Sequence, residues 1–120
     1  MRVLVCGSRT FLDAQIIYDV LGGHRQAWSP IVIMHGGARG ADEIAARWAD
    51  ANHVVAEAFP ADWANHGKGA GPIRNQKMLD QGKPDRVLAF IDKPLEDSRG
   101  SADMARRARA AGIPTYVVQI

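Results

Sequence analysis

Residues 31–51 read Ile31-Val32-Ile33-Met34-His35-Gly36-Gly37-Ala38-Arg39-Gly40-Ala41-Asp42-Glu43-Ile44-Ala45-Ala46-Arg47-Trp48-Ala49-Asp50-Ala51. The unbroken apolar run Ile31 to Met34 predicts a strand buried on both faces. The period then changes. From Ala41 to Ala51, Ile44, Ala45 and Trp48 share one side of a helix, and Asn52 suits its end. A glycine-rich segment, His35 to Asp42, joins the two. Strand, glycine loop and helix together form the opening of a βαβ unit, which belongs to a parallel sheet.

The same alternation extends in both directions. Upstream, Arg2 to Cys6 reads as a buried strand. Ala14 to Leu21 reads as a helix carrying Ile16, Ile17, Val20 and Leu21, stopped by Gly22-Gly23. Downstream, Val54 to Phe59 is a third strand. A loop follows from Pro60 to Gly71, containing Gly67, Gly69 and Gly71. A helix begins at Pro72, which suits a first turn, and runs to Gln81, with Gly82 as its C′ residue. Arg86 to Ile91 is a fourth strand and Asp92 to Gly100 a polar loop. Ser101 to Ala111 is a fourth helix closed by Gly112, and Thr115 to Gln119 is the last strand. The fold class is α/β: a Rossmann-like, doubly wound sheet of about five parallel strands, order 3-2-1-4-5, with helices on both faces. The 120 residues are expected to form a single domain.

Composition narrows the function. Hydrophobic residues make up 47% and charged residues 23%, as in a globular domain. A net charge of +2 and 7% aromatic residues offer neither an electrostatic funnel nor a stacking platform for single-stranded nucleic acid. Cys6, the one cysteine, lies in an apolar run and reads as a small core residue. The histidines have no metal-ligand spacing, so no metal and no cofactor is expected. The N-terminus lacks a signal-peptide h-region, and no apolar run is long enough to span a membrane. A cytosolic location is expected.

In a doubly wound sheet, ligands bind beyond the carboxyl ends of the strands, where strand order reverses. The loops at Gly7, His35 and Asp92 converge there. In the first, Gly7 permits a tight turn, Ser8 and Thr10 offer hydroxyls, and Arg9 offers a fork for phosphate or carboxylate. In the second, the N–H groups of Gly36, Gly37 and Gly40 open a helix and read as an anion site beside His35 and Arg39. It matches neither a dinucleotide fingerprint nor a P-loop. Asp42 is either a first-turn carboxylate or a ribose ligand. In the third loop, Trp63 either stacks on a base or caps the core. Arg74 and Asn75 fall in the first turn of a helix, where an arginine needs an anionic partner. In the fourth, Gly100 and Ser101 place N–H groups at a helix start, with Ser101 as the N-cap. Ala102, Ala105 and Ala108 form a stripe that presses on the sheet, leaving Arg106, Arg107 and Arg109 in solvent. The apolar face of Ile44 and Trp48 either packs on the sheet or forms a homodimer.

Taken in order, Gly7-Ser8-Arg9 with Phe11, His35 to Asp42, Gly71-Pro72-Ile73-Arg74-Asn75-Gln76-Lys77-Met78, and Gly100-Ser101-Ala102-Asp103-Met104 before Ala111-Gly112-Ile113-Pro114 resemble the SLOG superfamily. More narrowly they resemble its small stand-alone YspA-like, YpsA-related branch. The resemblance covers nearly the whole chain. It implies a Rossmann-like fold that binds nucleotides or nucleotide-derived ligands. Its better-known members include the Lonely Guy phosphoribohydrolases, DNA-processing protein A, which binds single-stranded DNA, and sensor domains of bacterial defence systems.

The hydrolases carry Pro-Gly-Gly-x-Gly-Thr-x-x-Glu. Here the corresponding stretch is Glu96-Asp97-Ser98-Arg99-Gly100-Ser101-Ala102-Asp103-Met104. Met104 stands where the catalytic Glu would be, and a thioether neither moves a proton nor stabilises an oxocarbenium ion. Arg74 matches the hydrolases' catalytic arginine. Asp103 points roughly 100° round the helix from Met104, which makes it a poor replacement. The expected activity is therefore nucleotide binding, as a sensor or ligand-binding module, at Gly7, Ser8, Arg9, His35, Gly36, Gly37, Arg39, Asp42, Arg74, Asn75, Gly100 and Ser101. The alternatives are an N-glycosidase acting on nucleoside monophosphates through Arg74 and a carboxylate (Asp42, Asp97 or Asp103), and a single-stranded nucleic-acid binder.

Overall fold

Val3, Leu4 and Val5 are wholly buried because they form the central strand of a sheet with helices over both faces. The computed structural model describes residues 1–120. In chain order it runs β1 (Arg2–Gly7), α1 (Ala14–Trp28), β2 (Val32–His35), α2 (Ala41–Ala51), β3 (Val55–Ala58), α3 (Trp63–His66), α4 (Ala70–Lys77), β4 (Arg86–Ile91), α5 (Arg99–Ala110) and β5 (Thr115–Gln119). All pairings are parallel and the order is β3-β2-β1-β4-β5. Order reverses between β1 and β4, where Gly7 lies opposite Phe90.

Alternation along each strand divides the core. Val3, Val5, Ile33, Leu88 and Phe90 point to one face and pack with Ile17 and Leu21 of α1 and Ile44 and Trp48 of α2. Leu4, Met34 and Val87 point to the other and pack with Met78, Leu79, Met104 and Ala108. Ile44 and Trp48 are each 5% exposed, so the face left open between sheet and homodimer packs on the sheet. The edge strands β3 and β5 are largely exposed, with Val55 and Tyr116 at their surfaces.

Several helix boundaries differ from expectation. Gly22 and Gly23 do not end α1, which continues to Trp28. Its last turns are held by tertiary contacts: the Arg86 guanidinium stacks between the rings of Trp28 and Tyr116, at 4.7 and 4.9 Å. Those contacts outweigh two glycines, each costing about 1 kcal/mol in a helix.

The segment from Pro60 to Gly71 is not a plain loop. Asp62 caps α3 by accepting from the Asn65 N–H at 3.2 Å, a 3₁₀ turn follows over Gly67–Gly69, and α4 starts at Ala70. Pro72 sits inside the first turn, where its missing N–H costs nothing. A π-helical turn, Met78–Gly82, ends this region, and Lys83 rather than Gly82 takes the left-handed conformation. A Cβ at Gly82 would displace the end of the Met34 side chain, which packs there.

The loop after β4 contains a 3₁₀ turn, Leu95–Asp97, and α5 begins at Arg99 with Ser98, not Ser101, at its N-cap. Arg106 and Arg109 lie in solvent as expected. Arg107 is half-buried and bonds Asp103 and Gln76. No helix is long and apolar enough to cross a membrane.

Candidate functional site

The loop after β1 is locked to the loop after β4. A methyl group at Gly7 would overlap the Phe90 carbonyl. The Ser8 N–H donates to that carbonyl at 2.9 Å, while Ser8 Oγ accepts from the Asp92 N–H at 3.3 Å. Thr10 Oγ1 donates to Asp92 Oδ2 at 2.6 Å, which holds the Asp92 carboxyl below the usual range. Both hydroxyls therefore serve the framework, and Ser8 is buried. Arg9 is exposed and makes no ion pair.

The loop after β2 folds on itself. Asp42 Oδ2 accepts from the N–H of Gly36 at 2.8 Å and of Ala38 at 3.3 Å. The Gly37 N–H bonds His35 Nδ1 at 3.0 Å. The Gly36 and Gly37 donors that the sequence assigned to a bound anion are thus taken by the loop's own side chains. Asp42 leaves its other oxygen, Oδ1, without a hydrogen bond. Burial pushes the Asp42 carboxyl up, against the pull of the Gly36 and Ala38 N–H groups, His35 and Arg74. Burial also lowers His35, favouring its neutral form. Gly40, at φ +75°, presses on the Ser8 carbonyl and brings the first two loops together.

From α4, Arg74 reaches back across the cleft. Its Nη1 donates to the carbonyls of Gly36 at 2.8 Å and Phe59 at 3.4 Å, and its Nε to Asn75 Oδ1 at 3.0 Å. Nη2 makes no bond within the protein. Buried Asn75 turns its Nδ2 the other way, to the Gly100 carbonyl at 3.2 Å and Asp103 Oδ2 at 3.0 Å. Arg74 and Asn75 together join the second loop to the start of α5. At that start the side chain of the N-cap residue Ser98 makes no capping bond to the helix N–H groups; its Oγ donates to Ser101 Oγ at 3.1 Å. The first-turn N–H groups of an α-helix have no intrahelical acceptor, so those of Arg99, Gly100 and Ser101 remain available.

These loops enclose a cleft of about 330 Å³ at the switch point, within the range of small-ligand sites. Gly7, Arg9, Gly36, Asp42, Arg74, Asn75, Gly100 and Ser101 line it, as do Lys93, Asp97 and Arg99. Its charged residues are Arg9, Arg74, Lys93 and Arg99 against Asp42 and Asp97. None of those four cations is in a salt bridge. Cys6 and Met104 form part of the floor, and burial, reinforced by Asp42, pushes the Cys6 thiol up to about 12.

Other predicted site residues lie elsewhere. Ser8 and His35 are buried in the framework, and Gly37 does not line the cleft. Arg39 lines a second groove. Asp103 stands behind Asn75 and is engaged by Arg106 at 2.7 Å and Arg107 at 2.9 Å. Trp63 is half-exposed on α3, outside the cleft, beside Gly71. The sequence reading missed Lys93 and Arg99; cations in the loop after the fourth strand, at the switch point, were the signal for both. No three His, Cys, Asp or Glu side chains gather where they could hold a metal ion.

A profile of the YspA, cpYpsA-related SLOG family matches residues 1–66, more than half of the chain. The chain belongs to this SLOG family. Gene 61 protein of Mycobacterium phage D29 is 44% identical over 120 residues, covering 94% of this SLOG chain and 92% of that protein. Among solved structures, DNA processing protein A (DprA) from Streptococcus pneumoniae superposes with a TM-score of 0.76 at 22% identity. The match covers 97% of this chain and 49% of the DprA chain, so the SLOG chain spans about half of that protein. At that identity the likeness is one of fold.

Proposed function

We propose that this SLOG protein binds a nucleotide or nucleotide-derived ligand through its phosphate, in the cleft between the carboxyl ends of β1 and β4. One observation carries the reading: Arg9, Lys93 and Arg99, none of them paired with a carboxylate, line the same cleft as the start of α5 at Gly100 and Ser101, which has no side-chain cap. Backbone N–H groups with a macrodipole behind them favour a phosphate, and loose cations add to its attraction. Arg74 Nη2 is a further donor, already aimed by its bonds to Gly36 and Asn75. Asp42 Oδ1 is the acceptor a ribose hydroxyl needs. The protein acts in the cytosol as a ligand-binding or sensing module. Membership of the SLOG family supports a nucleotide-related ligand.

The test is thermal stability with nucleoside monophosphates, ADP-ribose and NAD. A ligand at 100 times its Kd stabilises the fold by about 2.7 kcal/mol, several degrees for a domain this size. Arg9→Ala should remove most of the shift while leaving the unliganded Tm in place. No shift with any nucleotide would sink the reading.

One observation favours a second reading, hydrolysis of a nucleoside monophosphate at its N-glycosidic bond. Asp42 lines the cleft beside Arg74, and its raised carboxyl can hold a proton for a departing base. Asp103 does not line the cleft, and Met104 supplies no carboxylate there. Release of free base, lost in Arg74→Ala and Asp42→Asn, separates the hydrolase from the binding module.

A further inference from the structure

A second groove opens on the far side of Arg9. It holds about 390 Å³ between the beginnings of α1 and α2, and Arg9 is the residue that lines both clefts. Its charged residues are Arg9, Arg39 and Arg47 against Glu43. Glu43 is occupied by Arg47 at 3.3 Å, so Arg9 and Arg39 face the groove without a carboxylate partner. The loops that carry them are fastened together where the Ala41 N–H meets the Ser8 carbonyl at 3.4 Å and Gly40 presses on that carbonyl. The two arginines are therefore carried on backbone segments that are joined to each other.

The rest of the groove is apolar. Phe11 is buried below, while Leu12 is 83% exposed and Tyr18 is 38% exposed at its wall. A large aliphatic side chain left in water beside a phenol ring is a surface that a flat heterocycle would cover. Fork-shaped cations next to an aromatic ring match a phosphate linked to a base.

We infer that the ligand continues past Arg9 into this groove, so that the protein takes two nucleoside units joined through phosphate. The linking phosphate lies between Arg9 and Arg39, and the second nucleoside lies against Tyr18 and Leu12. This inference rests on the nucleotide reading of the first cleft. The linkage is either one phosphodiester or a pyrophosphate, both of which present the same charged oxygens to a guanidinium.

Calorimetric titration of the whole protein with AMP, with the 5′-phosphorylated dinucleotide pApA and with diadenosine diphosphate tests it. At least one two-unit ligand should bind about tenfold or more tightly than AMP, a step of about 1.4 kcal/mol. The arm that gains identifies the linkage. Arg39→Ala and Tyr18→Ala should each erase that gain and leave AMP affinity unchanged. Equal affinity for AMP and both two-unit ligands overturns the extension and leaves the first cleft standing. Binding of none of the three overturns the nucleotide reading of the first cleft, and the extension with it.

Discussion

Arg74 Nη1 donates to the Gly36 carbonyl at 2.8 Å, so the helix after the third strand is pinned to the loop after the second. The same guanidinium lines the cleft and leaves Nη2 without a bond inside the protein. A side chain that joins two loops and lines the cleft makes loop geometry and the proposed ligand contact one property.

Gly36→Ala should therefore behave as an indirect removal of Arg74. A methyl group at Gly36 overlaps the Arg74 guanidinium. Arg74→Ala should cost about 1.5–3 kcal/mol of nucleotide binding, roughly 10- to 150-fold. Gly36→Ala should lose a comparable amount, read by titration, with the fold intact by circular dichroism. A Gly36→Ala variant with native affinity would detach Arg74 from the ligand.

The glycines inside α1 offer the opposite experiment. Neither Gly22 nor Gly23 has anything within 4 Å of where a Cβ would lie. Gly22→Ala and Gly23→Ala should each stabilise the protein by about 0.5–1 kcal/mol, through a less flexible unfolded chain and better helix propensity. Denaturant melts check this, and nucleotide binding should stay unchanged because neither glycine lines either groove.

Asp42 predicts an unusual pH response. Its carboxyl is raised on folding by burial, so the native state holds this proton more tightly than the unfolded state. Its contribution to stability is greatest below the ordinary carboxylate range and is lost as pH rises through the raised value. Asp42→Asn keeps an oxygen for the Gly36 and Ala38 N–H groups and removes the titration. The variant should lack this loss, so the difference in Tm between variant and parent should grow with pH above the ordinary carboxylate range. A constant difference across that window would rule out the raised carboxyl.

Asp103 has the opposite sign. Burial works against its ionisation, but Asn75, Arg107 and Arg106 outweigh it and hold the carboxyl low. Its stabilisation is present above the unfolded carboxylate pKa and is lost as pH falls through the native value. Asp103→Ala should cost about 1–2 kcal/mol at neutral pH, with the deficit shrinking in acid. Because Asn75 loses a partner, ligand affinity should fall mildly, while any base release should persist.

The strands were legible because each is an apolar run between turn residues, and Arg86–Ile91 and Thr115–Gln119 match to the residue. The alternation gives a parallel sheet, and the commonest order for one, 3-2-1-4-5, is the order found and sets where the candidate cleft lies. What escaped were bonds that exist only once the chain has folded. Gly22-Gly23 carries the local signal of a helix end, yet Arg86 and Tyr116, distant in sequence, hold the last turns. The glycine loop at 35–42 carries the signal of an anion site, yet Asp42, six residues after Gly36, takes the Gly36 donor, and His35 takes that of Gly37. Ser8 looked like a ligand hydroxyl until Asp92, from the fourth loop, claimed it.

The sheet divides the interior unequally. One face rests on a cluster of 14 buried residues and the other on 7, and the cleft opens on the side of the smaller one. Amide exchange should therefore be uneven, with α4 and α5 opening before α1 and α2, because local opening is cheapest where least apolar area is lost. A ligand bound between Arg74 and Gly100 ties those two helices together from outside, so its arrival should be felt as slowed exchange in the thinner half of the molecule.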